Sequence, residues 1–221
     1  YLINVMRKKI HGTILVFNEV NGEFLAEIQS YNKKLKSVEE IKKIRNPEEK
    51  TDVWILFAPV KKTPTEYIIQ KATELGVSKI LPVVTERTIT KSLNLKRFQD
   101  IAIEASEQCE RITIPEIFPL QKLYDVIDKW GDKRTIYYAD ETMRHEKQST
   151  NNFNKLIKAP SGAILVGPEG GFTMKEKSYL KQKKFIIPIN FGQRILKSDT
   201  AVITGLVFWQ TLNGDMKTIF N

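Results

Sequence analysis

The chain has 221 residues, of which 41% are apolar, so it can build a real hydrophobic core in one large domain or two unequal ones. No apolar run approaches the roughly 20 residues of a membrane-spanning helix, the first residues do not resemble a signal peptide, and the single cysteine, Cys109, excludes an intrachain disulfide and favours a reducing cytoplasm. The net charge of +9 divides into +3 over residues 1–50, zero over 51–150 and +6 over 151–221, which favours a phosphate-bearing partner, with a solvated lysine surface as the alternative.

The first part of the chain, residues 1–48, is predicted to form a small β-domain. A loose alternation of apolar and polar residues covers Thr13–Asn18, Asn21-Gly22 is a strong hairpin signal, and Phe24–Ser30 supplies the return strand. The polar stretch 46–50 contains a proline and is typical of a linker.

Basic residues flank these strands. We predict that Arg7, Lys8 and Lys9 bind RNA phosphates, and an ordinary β-domain with solvated lysines is the alternative interpretation. Because the chain begins at Tyr1 rather than Met, we also expect further sequence upstream.

From residue 52 onward, strands and helices alternate, which predicts a mostly parallel sheet covered by helices on both faces. The predicted elements are a strand over 53–59, a helix that starts with a capping box at Thr63, a strand over 79–84, helices over 96–110 and 121–130, a strand over 135–139, a short helix over 153–158, a strand from 164, a helix from Thr173, a strand over 185–189 and a helix over 200–212.

The last predicted helix carries apolar residues on more than one side, so we expect it at a dimer interface or in the centre of the core. His11 and His145 are isolated in the sequence, and no cluster of Cys, His or Asp has the spacing of metal ligands, so no metal site is predicted.

Two glycine-containing turns follow the last two predicted strands. The first, in ILVGPEGGFT over residues 164–173, precedes a capping box at Thr173, and the second, FGQRILKSDTA over residues 191–201, has Ser198 or Asp199 as candidate helix caps. The first turn lacks the Lys-Ser/Thr of a P-loop and the spacing of the dinucleotide fingerprint. Two such turns predict one pocket at the carboxyl edge of the sheet, and tight turns without a ligand are the alternative.

Four stretches together resemble one family. They are Val5-Met6-Arg7, Tyr67–Val77, Glu104–Arg111 with Ile114-Pro115, and the two glycine-containing turns. On these motifs, which span nearly the whole chain, the sequence resembles the RsmE family, the 16S rRNA (uracil-N3)-methyltransferases of the SPOUT superfamily. Gln193 and Lys197 stand where that family often has Pro and Arg.

The resemblance implies an α/β fold in two domains. Residues 1–48 would form a PUA-like RNA-binding β-barrel, here without its first strand, and residues 52–221 would form a SPOUT methyltransferase domain with a trefoil knot. It further implies a homodimer that acts on 16S rRNA of the small ribosomal subunit with S-adenosylmethionine as cofactor. Neither a membrane nor a metal is among the expected partners.

The family's cofactor-binding positions carry over one by one, with the end of the strand over 135–139 as a third wall of the site. The positions are Tyr138, Ala139, Val166, Gly167, Pro168, Glu169, Gly170, Gly171, Phe191, Gly192, Ile195, Leu196, Thr200 and Ala201.

Arg194 is our candidate catalytic residue. Uracil N3 becomes a nucleophile only when its proton is lost, and a cation near the neighbouring carbonyl oxygens would stabilise the resulting negative charge. A phosphate contact or a structural role is the alternative for Arg194. Glu169 is a candidate proton acceptor, with a purely local role at the helix start as the alternative. Lys175 and the lysines that follow it, Lys177, Lys181, Lys183 and Lys184, are predicted to contact RNA phosphates.

Two other functions fit the same sequence. One is a SPOUT methyltransferase that acts on a tRNA ribose or on another base, and the other is an RNA-binding protein without activity whose glycine loops are only turns. A nucleotide hydrolase is disfavoured, because the P-loop lysine and a magnesium carboxylate are both absent from the motifs.

Overall fold

A computed structural model of the chain describes residues 7–31, 36–48, 51–131, 134–145 and 161–219. The chain forms two compact units, residues 1–49 with 110–113 and residues 50–109 with 114–221. The helix predicted over 153–158 lies outside the described residues. In the described part of the chain, no helix is both long and apolar enough to cross a bilayer.

The smaller unit contains a three-stranded antiparallel sheet in the order β1 (Thr13–Asn18), β2 (Gly22–Tyr31), β3 (Lys36–Arg45). The hairpin prediction is confirmed, since Asn18 pairs with Gly22, whose φ of +95° suits glycine. The third strand was not predicted. Arg45 at its end donates to the Glu23 carboxylate at 2.7 Å and to the Glu110 carbonyl at 2.7 Å.

The larger unit is built on a seven-stranded sheet of parallel pairs. The strands are β4 (Val53–Phe57), β5 (Lys79–Val84), β6 (Glu116–Ile117), β7 (Gln121–Lys122), β8 (Thr135–Ala139), β9 (Gly162–Val166) and β10 (Ile186–Ile189). Along the sheet the order is β10-β8-β9-β4-β5-β6, and β7 pairs with β5. The prediction of a mostly parallel sheet is confirmed.

In the described part of the chain, four α-helices lie between these strands and a fifth follows the last strand. They are α1 (Lys62–Glu74), α2 (Leu95–Gln108), α3 (Leu123–Asp128), α4 (Met174–Lys181) and α5 (Ser198–Asn213). Short 3₁₀ helices cover Glu141–His145 and Asp215–Ile219.

The start of α1 differs from the prediction. Thr63 was expected to cap the helix, but the helix begins at Lys62 and its N-cap, Lys61, makes no side-chain capping bond. The hydroxyl of Thr65 instead closes the preceding turn, because it accepts from the Val60 amide at 3.1 Å and donates to the Val60 carbonyl at 3.3 Å.

The third helix is also shorter than the predicted 121–130. Gln121 and Lys122 pair with Val83 and Val84 as strand β7, so the helical residues run only from Leu123 to Asp128. Pairing with the edge of the sheet therefore overrides the local helical pattern.

Apolar side chains cover both faces of the sheet, as the sequence predicts. One buried cluster joins β4 and β9 to residues of α1, α2 and α5, and the other joins the opposite face to residues of α3 and α4. A Cβ on Gly162 would lie 2.5 Å from the buried ring of Trp209, so this glycine allows α5 to pack closely on β9. The apolar composition of α5 is therefore explained in part by a position over the middle of the sheet.

We expect the buried face of α5 to contribute strongly to stability. Leu206 is 0% exposed, so Leu206→Ala should lower the free energy of unfolding by about 2–5 kcal/mol through lost burial and the resulting cavity. Ile89 is 88% exposed, and Ile89→Ala should change the free energy of unfolding by at most about 0.5 kcal/mol.

Urea unfolding followed by tryptophan fluorescence measures both variants, since Trp54, Trp130 and Trp209 all belong to the larger unit. Equal effects of the two substitutions would contradict the central position of α5.

Candidate functional site

The strand order brings three strand ends together at one edge of the sheet. β8 lies between β10 and β9, with Ala139 paired to Ile189 and Tyr138 paired to Leu165. Because the three strands are parallel, the residues that follow them emerge at the same carboxyl edge.

A cleft opens at this edge. It encloses about 520 Å³ of empty space, including the part that is open to solvent. The first loop (residues 167–172) and the second loop (residues 190–197) form two of its walls, and the residues after β8 form the third. The lining residues are Ala139, Asp140, Glu141, Val166, Gly167, Pro168, Gly171, Phe172, Ile189, Asn190, Phe191, Gly192, Arg194, Leu196, Ser198 and Ala201. The prediction that both glycine loops face one pocket is confirmed.

A hydrogen bond ties the first loop to the start of α5, directly after the second loop. The hydroxyl of Ser198, the first residue of α5, donates to the carbonyl of Gly167 at 2.9 Å, and Ser198 itself is buried. Ser198 was expected only as a helix cap. The helix begins at Ser198 after Lys197, which makes no capping bond, so the serine hydroxyl is available to join the loops.

The first loop is fixed by an internal turn and by contacts at its C-terminal end. The Gly171 amide donates to the Pro168 carbonyl at 2.8 Å, and the buried ring of Phe172 meets the ring of Tyr138 edge to face at 5.9 Å. The predicted capping box of α4 is confirmed: the Thr173 hydroxyl accepts from the Glu176 amide, and the Glu176 carboxylate accepts from the Thr173 amide. The loop therefore keeps its main chain in one arrangement beside the cleft.

The segment after β5 holds the first loop from outside, a role that the sequence did not indicate. Arg87 donates to the Gly170 carbonyl at 2.5 Å, and the Glu86 carboxylate accepts from Thr173, Tyr124 and Lys175 at 2.8, 3.1 and 3.3 Å. The Thr173 hydrogen bond is the main reason why the pKa of Glu86 lies below its ordinary value. Burial, with the Glu86 carboxylate beside it, raises the pKa of Tyr124 to about 12.

A buried ion cluster lies behind the third wall. The ammonium of Lys177 in α4 is 2.8 Å from the Asp140 carboxylate and 3.4 Å from the Glu141 carboxylate. Burial alone would raise the pKa of Asp140, but the Lys177 and Thr142 hydrogen bonds outweigh it and hold that pKa below its ordinary value. Lys177 was predicted to contact RNA phosphates, and this prediction is wrong because its side chain is only 7% exposed.

Most of the expected cofactor positions lie in the cleft. Those among its lining residues are Ala139, Val166, Gly167, Pro168, Gly171, Phe191, Gly192, Leu196 and Ala201, together with the candidate catalytic residue Arg194. The remaining expected positions, which lie outside the lining, are Tyr138, Glu169, Gly170, Ile195 and Thr200.

Tyr138 is fully buried behind the wall, where its hydroxyl donates to Asp140 at 3.1 Å. Glu169 and Thr200 are exposed, and Ile195 is 66% exposed.

Six lining residues were not among the expected positions. They are Asp140, Glu141, Phe172, Ile189, Asn190 and Ser198. Asp140 and Glu141 directly follow a buried strand, so their place at the end of β8 was the available signal. Asn190 is buried, and both polar atoms of its side chain are hydrogen-bonded. Its Nδ2 donates to the Met143 carbonyl at 2.9 Å, and its Oδ1 accepts from the Gly192 amide at 3.0 Å.

The expected RNA-binding residues are on the surface of their units. In the smaller unit, Arg7 and Lys9 are exposed and Lys8 donates to the Thr13 carbonyl at 3.0 Å. In the larger unit, Lys175 is 78% exposed and forms an ion pair with Glu86. Within the described ranges, no group of three or more His, Cys, Asp or Glu residues is arranged to hold a metal ion.

The lining gives the cleft three kinds of binding group. Val166, Ile189 and Leu196 are apolar, Glu141 is acidic and Arg194 is basic. Gly192 has a φ of +102°, and a Cβ at this position would meet no atom within 4 Å, so the main chain there is open to a ligand. Such a cleft suits a ligand with an apolar ring system and several polar groups.

Comparison with known proteins agrees with this geometry. The family described as RNA methyltransferase domain matches residues 47–210. The chain is 34% identical to the ribosomal RNA small subunit methyltransferase E of Rickettsia conorii, over 93% of this chain and 83% of that protein, and 30% identical to its namesake in Buchnera aphidicola subsp. Acyrthosiphon pisum, over 98% and 86%. The crystal structure of the Neisseria gonorrhoeae methyltransferase E bound to S-adenosyl methionine superposes with a TM-score of 0.82, at 27% identity and over 96% of this chain and 88% of that one.

The Ser198–Gly167 hydrogen bond generates a stability prediction. Ser198→Ala leaves the Gly167 carbonyl without this partner, so the free energy of unfolding should fall by about 1–3 kcal/mol. Ser178→Ala, at an exposed position of α4, should change it by no more than about 0.5 kcal/mol. Urea denaturation with fluorescence detection gives both values, and a Ser198→Ala protein as stable as the Ser178→Ala protein would show that the bond does not hold the loops.

Proposed function

The chain belongs to the RNA methyltransferase family that includes ribosomal RNA small subunit methyltransferase E, and on that premise we propose that it transfers the methyl group of S-adenosylmethionine to N3 of a uridine in 16S rRNA. The observation that carries the proposal is the cleft in which both glycine loops and the end of β8 meet. The Neisseria gonorrhoeae methyltransferase E, whose structure superposes on this chain, binds S-adenosyl methionine.

The described residues fit such a cofactor. Gly192 leaves its main chain open, Leu196 and Ala201 offer an apolar surface for a ring, and the fixed main chain of the first loop lies opposite. When bound, the cofactor supplies a methyl group already activated on a sulfonium, so the protein has chiefly to position it. Positioning of two reactants alone can lower a barrier by roughly 7–11 kcal/mol.

Arg194 is proposed to stabilise the deprotonated uracil. Its side chain is exposed at the mouth of the cleft, where an incoming base would meet it. A guanidinium directed at the carbonyl oxygens next to N3 would favour the anion that attacks the methyl group. To reach this position the target base has to leave its stack, and the Arg194 contact would offset part of that loss.

Glu169 is a second candidate for a role in the reaction. It is exposed in the first loop and does not line the cleft. The N3 proton of the uracil could therefore reach its carboxylate only through the way in which the bound RNA lies over the first loop. We retain it as a candidate proton acceptor. Donor binding in a Glu169→Gln variant, measured beside its turnover, would separate this role from a local one at the start of α4.

Binding of the RNA backbone is proposed for basic residues of each unit. Lys175 in the larger unit and Arg7, Lys8 and Lys9 in the smaller unit are the candidate phosphate contacts. Lys175 can turn from Glu86 to a phosphate because its side chain is mostly exposed.

The architecture that goes with this function is also proposed. Residues 1–48 would belong to a PUA-like RNA-binding barrel and residues 52–221 to a trefoil-knotted SPOUT domain. The active form would be a cytoplasmic homodimer, and the exposed Val207 and Phe208 of α5 are candidates for its interface.

Loss of Arg194 should slow the chemical step. We expect Arg194→Ala to lower the single-turnover methylation rate on saturating RNA by about 100-fold or more, because the uracil anion loses its cation. The affinity for S-adenosylhomocysteine, measured by calorimetry, should stay within about threefold. Gln193→Ala is the matched control, since Gln193 is an exposed neighbour outside the lining, and an unchanged rate in Arg194→Ala would remove the catalytic role.

RNA binding should depend steeply on salt. Replacement of Lys175 by Ala should reduce the slope of log K against log salt concentration by about one unit, as expected when one phosphate contact is lost. Lys129→Ala, at the exposed end of α3, should leave the slope unchanged. Filter binding of an rRNA fragment between low and moderate salt measures both, and equal slopes for the two variants would exclude Lys175 as a contact.

A further inference from the structure

The third wall of the cleft contains a charge arrangement that the proposed chemistry does not use. Lys177 reaches from α4 into the protein, and its ammonium faces Asp140 at 2.8 Å and Glu141 at 3.4 Å. The Lys177 side chain is 7% exposed and that of Asp140 is 0% exposed. Removing both charges from water costs free energy that the attraction between them does not necessarily recover. The burial of this ion pair therefore needs an explanation.

Most of the hydrogen-bonding capacity of the buried Asp140 carboxylate is used within the protein. Its Oδ1 accepts from Lys177, from the Thr142 amide at 3.1 Å and from the Thr142 hydroxyl at 2.7 Å, while Oδ2 accepts from Tyr138 at 3.1 Å. Its amide donates to the Ile189 carbonyl at 2.8 Å, so the residue is also held through the main chain. Asp140 therefore anchors Lys177 inside the protein.

Glu141 differs from Asp140 because its side chain is 38% exposed and lines the cleft. One carboxylate oxygen, Oε1, is near Lys177 and would lie 2.8 Å from a Cβ on Gly171. The absence of a side chain at Gly171, whose φ is +65°, allows this close approach to the first loop. The carboxylate is thus placed between the end of β8 and the first loop, with Lys177 behind it.

The shared charge indicates which ligand group suits Glu141. Its carboxylate already has an ammonium on one side, and a second ammonium on the other would be repelled by the first. Neutral hydroxyl groups meet no such repulsion and gain a charge-assisted hydrogen bond. In other α/β proteins, an acidic residue that binds ribose hydroxyls serves a nucleoside in the same way.

We propose that Glu141 accepts hydrogen bonds from the ribose hydroxyls of the methyl donor, and that Lys177 is the positioning residue that holds Glu141 in place for this contact. The inference rests on the proposed function and adds the residues that recognise the nucleoside sugar. Without the ammonium, the two adjacent carboxylates repel each other, and Glu141 turns away from the cleft toward solvent.

The test compares ligands that differ only in the ribose. Calorimetry measures the affinities of S-adenosylhomocysteine and of its 2′-deoxy and 3′-deoxy analogues for the full chain and its variants. We expect the unsubstituted chain to bind at least one deoxy analogue about tenfold or more weakly, the size of a hydrogen bond to a charged group. In Glu141→Ala and in Lys177→Met the three ligands should bind within about threefold of one another.

Lys181→Met is the matched control, because Lys181 is an exposed lysine of the same helix. It should retain the tenfold preference for ribose. If Lys177 only stabilised the fold, Lys177→Met would weaken all three ligands equally and keep the preference, and that result would overturn its positioning role. Should Lys177→Met fail to fold, Glu141→Ala still decides whether the carboxylate reads the ribose, and a preference that persists there overturns the proposal.

A ligand without the amino acid part separates sugar recognition from recognition of an ammonium. Methylthioadenosine retains the ribose, so Glu141→Ala should weaken its binding by the same factor as that of S-adenosylhomocysteine. If only S-adenosylhomocysteine is weakened, Glu141 pairs with the ligand's ammonium and the inference is wrong. If the unsubstituted chain binds none of these ligands, the proposed function itself fails, which is a different result from binding without a preference for ribose.

Discussion

The place of β8 between β10 and β9 is the constraint on which the rest of the larger unit depends. The chain makes β8, β9 and β10 in that order, but in the sheet β10 lies on the far side of β8 from β9. The loops that follow β9 and β10 therefore have to meet over the end of β8. The cleft, the Ser198–Gly167 bond and the position of α5 all follow from this order.

The electrostatics of the cleft divide between its wall and its mouth. Three acidic groups next to the loops are engaged by the protein: Glu176 caps its own helix, Glu86 holds Thr173, and Asp140 holds Lys177. Arg194 remains exposed at the opening. A ligand inside the cleft would thus meet main chain, apolar surface and the Glu141 carboxylate, while a substrate that approaches from outside meets a cation. This division agrees with a bound donor and an anionic RNA acceptor.

The sequence predicts features that are local. Short apolar runs mark β5 and β8 at their observed bounds, and the glycines mark both loops, because burial and turn geometry act within a few residues. The capping boxes at Thr173 and Thr63 look alike in sequence, yet only the first forms. At Thr63 the deciding contact is the Thr65 hydroxyl on Val60, which fixes where the chain turns into α1.

Features that join distant parts of the chain escaped prediction. Lys177 looks like a solvent-facing lysine of a polar helix until β8 places Asp140 beside it, and Ser198 looks like a helix cap until its partner Gly167 is known. Arg87 likewise has no local signal for its bond to Gly170. Each depends on the strand order, which local patterns do not determine.

The position of α5 has a consequence for folding during translation. It follows every strand of the sheet in the chain, yet its buried residues pack on the middle strands and its first residue completes the cleft. A nascent chain that has emerged only as far as β10 has one face of its central strands only partly covered, by α1 and α2, and its two loops are not yet joined. Such an intermediate exposes apolar surface to chaperones until α5 has been synthesised, so the cleft is completed late in translation.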